Sequence, residues 1–130
     1  MNNHGTHGSI FNVASINRDV FPYKKATAYA TSKAAVIHME KYLVTEFSQH
    51  KIRVNSRALC SFSHPMTDQK LGIDQQRQGF DGQIPMGFVA TPQDLDGALL
   101  LLASNAHSSY ITRACMTVDG GKSFGTSRGS

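Results

Sequence analysis

The sequence predicts an α/β protein: a parallel sheet of about three strands with flanking helices. Two observations carry the prediction. Short runs of β-branched and aromatic residues alternate with longer stretches of helical periodicity, in the order strand, helix, strand, helix, strand. That alternation ordinarily builds consecutive parallel strands joined by right-handed helical crossovers. The chain of 130 residues is read as a single domain with a small core, residues 122–130 forming a flexible tail.

The first strand is GSIFNVAS, Gly8 to Ser15, which ends on a polar residue. Residues 17–27 are a loop containing Pro22 and several charges. From Ala28 to His50, Ala34, Ala35, Ile37, Met39, Leu43, Val44 and Phe47 recur at helical spacing. His50 and Lys51 suit the C-terminus of that helix. IRVN, Ile52 to Asn55, is the second strand, and Ser56 to Pro85 reads as loop with a broken helix. Thr91-Pro92-Gln93-Asp94 starts a helix that runs to about Ser104: a capping threonine, proline at the first position and an acid in the first turn. Leu99 to Leu102 is expected in the core. After a turn at Tyr110 to Thr112, CMTV, Cys115 to Val118, is the third strand and ends at Asp119-Gly120-Gly121.

Composition narrows the function. Thirteen basic against nine acidic residues give a net charge of +4, and the only basic cluster is His50, Lys51, Arg53 and Arg57. No stripe of basic residues interleaved with aromatics occurs, so nucleic acid is not expected as a partner. No apolar run approaches the roughly 20 residues of a membrane helix. The start, MNNHGTHGS, lacks a basic region followed by an apolar one, and no Asn-x-Ser/Thr site occurs. Cys60 and Cys115 suggest no disulfide framework, so free thiols and a cytoplasmic location are the expectation.

The chemistry points to AYATSKAAV, Ala28 to Val36. Tyr29 and Lys33, at i and i+4, lie on one helix face. A free tyrosine, with a pKa near 10, is a poor base at neutral pH, and a nearby ammonium favours its phenolate. Ser15 ends the preceding strand, and in a βαβ unit strand ends and following helix starts share one sheet edge, where ligands bind. A serine that holds a substrate oxygen and a tyrosine that exchanges its proton form a coherent device for an alcohol or carbonyl.

Five segments occur in an order that resembles a short-chain dehydrogenase/reductase: GSIFNVAS, YATSK, IRVNS, ATPQDLDGALLLLAS, and SYIT followed by VDGG. The resemblance covers about Gly8 to Gly121 and corresponds to the C-terminal half of that fold, a partial Rossmann-like sheet. IPMGF together with the PQDL helix looks like the sugar- and polyol-oxidising members. The resemblance implies NAD or NADP as cofactor and a small-molecule alcohol or carbonyl as substrate. It implies that Ser15 orients the substrate oxygen, that Tyr29 is the catalytic acid/base, and that Lys33 supports Tyr29 and binds the nicotinamide ribose. Tyr29, Lys33, Leu59, Phe62 and His64 are the implied cofactor-binding residues. The helix from Ala28 is the family's subunit-contact helix, and the first strand would leave one sheet edge uncovered, so a homo-oligomer is expected.

The sequence also departs from the family pattern. A glycine-rich phosphate turn after a strand is not found; Gly5 and Gly8 follow no strand. Leu59 and Cys60 stand where the family has a Pro-Gly turn, His64 where it has a cofactor-gripping threonine, and Arg113 where it has glycine. Glycine serves where the backbone takes positive φ or approaches a ligand. Cysteine and arginine there are expected to cost energy or to force another path. Two functions follow: an NAD(P)-dependent oxidoreductase, or a non-catalytic remnant that acts by associating with related subunits. His4, His7, Cys60 and His64 match no zinc spacing, and no metal is expected. GGKS, Gly120 to Ser123, lacks the earlier glycine of a phosphate loop.

Overall fold

The structure is a computed structural model that describes residues 7–16, 27–60 and 82–124. Strand β1 is Ser9–Ser15, helix α1 Thr27–Phe47 with a 3-10 turn at Ser48–His50, and strand β2 Arg53–Leu59. A 3-10 turn at Pro92–Leu95 leads into helix α2, Asp96–Ala103, followed by the short α3, Asn105–Ser108, and strand β3, Cys115–Val118. The three strands form one parallel sheet in the order β1-β2-β3. The predicted α/β class and its parallel sheet are what the chain forms.

Strand β2 is longer than expected, and the loop anticipated from Ser56 begins only after it. Its second half pairs on both sides: Ser56 to Leu59 lie opposite Asn12 to Ser15 on β1 and Cys115 to Val118 on β3. The polar residues that suggested a loop have partners inside the fold. Ser56 Oγ donates to Glu40 Oε2 at 2.9 Å, and Arg57 Nη1 donates to the Leu95 carbonyl at 3.3 Å, its guanidinium lying 5.3 Å from the Phe11 ring. Ladder bonds continue through Cys60, whose N–H donates to the Val118 carbonyl. With Leu and Cys in place of a Pro-Gly turn, the chain keeps pairing at this point.

These contacts also assign the faces. Side chains alternate along a strand, so Ser56, beneath Glu40 of α1, faces the opposite side from Arg53 and Arg57, which reach α2 and its leading turn. Helices α1 and α2 therefore cover opposite faces of the sheet. Because the chain steps in the same direction from β1 to β2 to β3, the two crossovers have opposite hands. The expectation that both are right-handed is corrected.

Helix α1 turns one stripe inward: Lys33, Val36, Ile37, Glu40, Leu43, Val44 and Phe47 are covered or half-covered, while Ala34, Ala35 and Met39 face outward. Helix α2 does the same with fewer turns. Leu95, Ala98 and Leu102 are buried at the i, i+3 and i+7 spacing of one face. Leu99, Leu100 and Leu101 are 38%, 67% and 36% exposed, so of the leucine run expected in the core only Leu102 lies there.

Arg53, one of the four residues of the basic cluster, is buried. Its Nη1 donates to the carbonyls of Leu102 at 2.8 Å and Ile111 at 3.4 Å, and its Nη2 to Asn105 Oδ1 at 2.9 Å. A cation on the last carbonyls of α2 satisfies orphan acceptors and complements the helix dipole. Asn55, fully buried, donates to the Ile111 carbonyl and accepts from the Ala114 N–H, both at 2.9 Å. The Arg113 N–H donates to the Val54 carbonyl at 2.7 Å. Tied on both sides, the chain turns at Arg113 with φ of 62°, the left-handed conformation for which the family's glycine suits the site.

Thr91 caps the second helical segment as expected: the Asp94 carboxylate accepts its N–H at 2.7 Å and its hydroxyl at 2.8 Å. Lys122–Phe124, the start of the expected flexible tail, is a 3-10 turn, with the Ser123 N–H donating to Asp119. Among the described residues, no helix is long and apolar enough to cross a membrane.

Candidate active site

The parallel register places the C-terminal ends of β1 and β2 side by side, Ser15 opposite Leu59. Both residues are buried, and their side chains share the sheet face that α2 covers. Helix α1 starts at this same edge, with Tyr29 in its first turn and Lys33 one turn later. Tyr29 is 48% exposed, so its phenol is open to solvent and to a ligand. Lys33 Nζ lies 5.7 Å from the centroid of the Tyr29 ring, within cation-π range, and donates to the Val13 carbonyl at 3.0 Å.

That carbonyl explains where the lysine rests. On β1 the backbone groups of alternate residues face β2, as Gly8 does through the bond from the Arg53 N–H. Val13, five residues on, points its carbonyl to the other side, the edge that no described strand covers. Lysine is a common guard for such an edge. The ammonium thus sits between the edge of β1 and the tyrosine ring, two residues before Ser15.

The structure therefore brings Tyr29 and Lys33 together, sets Lys33 against β1, and puts Ser15 at the end of that strand beside Leu59. Phe62 and His64 lie outside the described residues. So do residues 17–26 of the connection between β1 and α1, which contain no glycine. Among the described residues no group of three metal-ligating side chains occurs. A cavity of about 230 Å³ opens at the same strand ends, walled by Ile84, Met86, Phe88, Leu95 and Val118, with Cys60 beside them.

Sequence reasoning missed the Val13 carbonyl as the lysine's partner, since a backbone acceptor leaves no mark in side-chain spacing. It also missed Glu40, the one buried residue of α1. Its signal was available: position 40 falls on the inward stripe of Lys33, Ile37 and Val44.

Comparison with known proteins agrees with this geometry. The family model described as enoyl-(acyl carrier protein) reductase matches residues 1–123. The 3beta-hydroxysteroid dehydrogenase 1 of Eggerthella lenta is 35% identical over 114 residues, 88% of this chain and 43% of that protein. The ribulose-forming D-arabinitol 2-dehydrogenase of Scheffersomyces stipitis is 36% identical over 94 residues, 72% of this chain and 34% of its own. Among solved structures, the Pseudomonas aeruginosa RhlG/NADP active-site complex superposes with a TM-score of 0.81 at 28% identity, covering 89% of this chain and 46% of that one. The chain belongs to the short-chain dehydrogenase/reductase family, whose cofactor is NAD or NADP. It spans less than half the length of each of these relatives.

Proposed function

We propose that this chain carries the proton-transfer side of an NAD(P)-dependent oxidoreductase site that interconverts a small alcohol and its carbonyl compound. The observation that most supports this reading is the position of Lys33, bonded to Val13 of β1 and set against the Tyr29 ring. In this reading the Ser15 hydroxyl donates to the substrate oxygen, and Tyr29 gives up or takes back the proton on that oxygen. Lys33 holds a positive charge beside the phenol and keeps two further N–H donors for ribose hydroxyls. Bound NAD(P) supplies or accepts the hydride. Leu59, beside Ser15 at the strand ends, meets the nicotinamide side, with Phe62 and His64 following it. The apolar cavity at the same edge offers room for the substrate's carbon skeleton, which fits an alcohol or carbonyl better than a charged polymer.

The residues present fit the ribose and nicotinamide end of the cofactor. For the pyrophosphate the described residues offer no glycine-rich turn between a strand and a helix, so that end must be held by residues other than these. We also propose that the chain assembles as a homo-oligomer through the outer face of α1. Ala34 and Ala35 are exposed there, and Met39 and Tyr42 are 45% and 62% exposed.

Titration with NADH and NADPH, followed by cofactor fluorescence, tests the site. Saturable micromolar binding that is lost in Lys33→Ala is the expected result, and carbonyl reduction with the bound cofactor should follow. Absence of binding up to millimolar cofactor overturns it and leaves association with related subunits as the function. Light scattering decides the oligomer separately: a monodisperse monomer at micromolar concentration rules it out.

A further inference from the structure

Proton transfer by itself selects no carbon skeleton; the cavity at the strand ends can. The sheet register sets its distance from the reacting centre. Ser15 of β1 lies opposite Leu59 of β2, and Leu59 opposite Val118 of β3, so the three form a row across the strand ends. Residues paired in this way show their side chains on one face, here the face that α2 covers. The row spans two strand spacings, roughly 10 Å. The proposed proton transfer stands at its first end and the cavity at its last, where Val118 is a wall. Leu59, apolar and buried, fills the middle, and Cys60 after it begins the lining.

One wall is a segment clipped to the end of β3. The Met86 N–H donates to the Gly120 carbonyl at 3.1 Å, and the Gly87 N–H to the Ile84 carbonyl at 2.7 Å. Gly120 has no side chain to hold this segment off: a Cβ there would stand 2.7 Å from Ile84 Cγ2. Held in this way, Ile84 is buried, while Met86 and Phe88 are 65% and 47% exposed. Two large apolar side chains left open to water beside one cavity mark a surface that a ligand covers.

The walls are also short of polar partners. Among the described side chains that line the cavity, Cys60 alone carries a hydrogen-bond donor. The Asp119 carboxylate accepts the N–H groups of Gly121 and Ser123, and Asp94 Oδ2 accepts the N–H and hydroxyl of Thr91, so both acids fasten turns of the chain itself. A polyol would bury hydroxyl groups against walls that cannot pair them, and each such group is costly. An acidic substrate would meet two carboxylates. A hydrocarbon loses nothing there and gains by leaving water.

We infer that the substrate of the proposed site carries an uncharged apolar tail that reaches from the carbonyl carbon past Leu59 into this cavity. The inference rests on the oxidoreductase reading for the carbonyl end and on the cavity alone for the tail. At roughly 1.3 Å per carbon of an extended chain, one strand spacing takes about four carbons and the full row about eight. Tails below the first length do not reach the cavity, and growth beyond the second adds nothing.

Two measurements on the full chain test this. The first is an NMR titration with 1-butanol, 1-hexanol and 1-octanol, with D-arabinitol as control. Saturable binding should tighten about two- to fourfold per methylene, the gain from burying that group. D-arabinitol should not saturate. Met86→Asp, at an exposed position, should weaken 1-octanol about tenfold while the urea midpoint stays the same. Equal affinity for the three alcohols, or 1-octanol binding that Met86→Asp leaves intact, overturns the inference. The second follows NADH or NADPH oxidation with 2-alkanones of increasing length. The kcat/KM should rise across the window set by the row and then level off, and Met86→Asp should flatten the rise. A flat series from an enzyme that turns over overturns the inference and leaves the oxidoreductase reading standing. Failure to bind either cofactor overturns that reading instead, and the alcohol titration still decides whether the cavity takes an apolar tail.

Discussion

The N-terminal half of β2 and the C-terminal end of β1 belong to adjacent strands, at opposite ends of one sheet, and they are held in opposite ways. Arg53 and Asn55 are buried and each bonds to more than one element: Arg53 to the ends of α2 and α3, Asn55 to both sides of the turn before β3. At the other place, Tyr29 is half exposed, and Lys33 rests on a single backbone carbonyl. The first region is over-determined, so losing one contact leaves buried polar groups without partners. The second is lightly held, so its ammonium can exchange a carbonyl for a ligand at little cost. A frame that fixes and a site that can change partners sit on adjacent strands, at opposite ends of the sheet, and substitutions should sort cleanly between them.

The largest effect tests the site half of the comparison. Tyr29→Phe removes only a hydroxyl from an exposed ring, so stability should stay within about 0.5 kcal/mol. Turnover with NAD(P) should fall by roughly 10²–10⁴-fold, the usual contribution of a positioned acid/base. Rates and urea melts on the same preparation decide it. A variant that keeps its turnover removes Tyr29 from the chemistry, and one that unfolds makes it part of the frame.

Leu102 and Leu100 probe the frame from one helix. Leu102 has no exposed surface and Leu100 is 67% exposed, although the two are identical in type and two residues apart. Leu102→Ala should cost about 2–5 kcal/mol through lost burial and a residual cavity. Leu100→Ala should cost under about 0.5 kcal/mol. Equal losses in denaturant unfolding would mean that the outer face of α2 is covered in solution, and the comparison would then need a partner surface.

Arg53→Met, of similar length and apolar, should cost about 3 kcal/mol, because carbonyls at the end of α2 lose their donor in a buried place. Activity per folded molecule should be unchanged. A stability loss below about 0.5 kcal/mol would show that water replaces the guanidinium, and that the frame is looser than its bonds imply.

How much of this was legible in the sequence follows from where each partner sits. The order of strands and helices was legible, because periodicity is local. So were the pairing of Tyr29 with Lys33 and the backbone demand at Arg113, since i, i+4 spacing and glycine logic need no distant residue. The second half of β2 was not, because Ser56 and Arg57 look like loop residues until Glu40 and the Leu95 carbonyl come up against them. Four consecutive leucines carry no helical phase, so the inward one had to be read from the fold. The opposite hands of the two crossovers have no local signature at all.

Asp119 gives the smallest test, at the end of β3 where frame meets site. Burial pushes its carboxyl pKa up, but hydrogen bonds from Ser123 and from the Gly121 N–H outweigh this and hold it below the ordinary aspartate value. A depressed folded-state pKa contributes stability that is fully present above the unfolded value, near 3.9 for aspartate, and is lost as pH falls through the folded value. The carboxylate fastens the Gly120-Gly121 turn, in which both residues have positive φ and a side chain on Gly120 would meet Ile84 Cγ2 at 2.7 Å. Since the group is partly open to solvent, the contribution should be under about 1 kcal/mol. Asp119→Asn should therefore lower the urea midpoint slightly at pH 7 and shrink the gap between pH 7 and pH 3. An unchanged gap would mean that the turn is held by the packing of its glycines against Ile84 and Pro85, and that the boundary belongs to the frame.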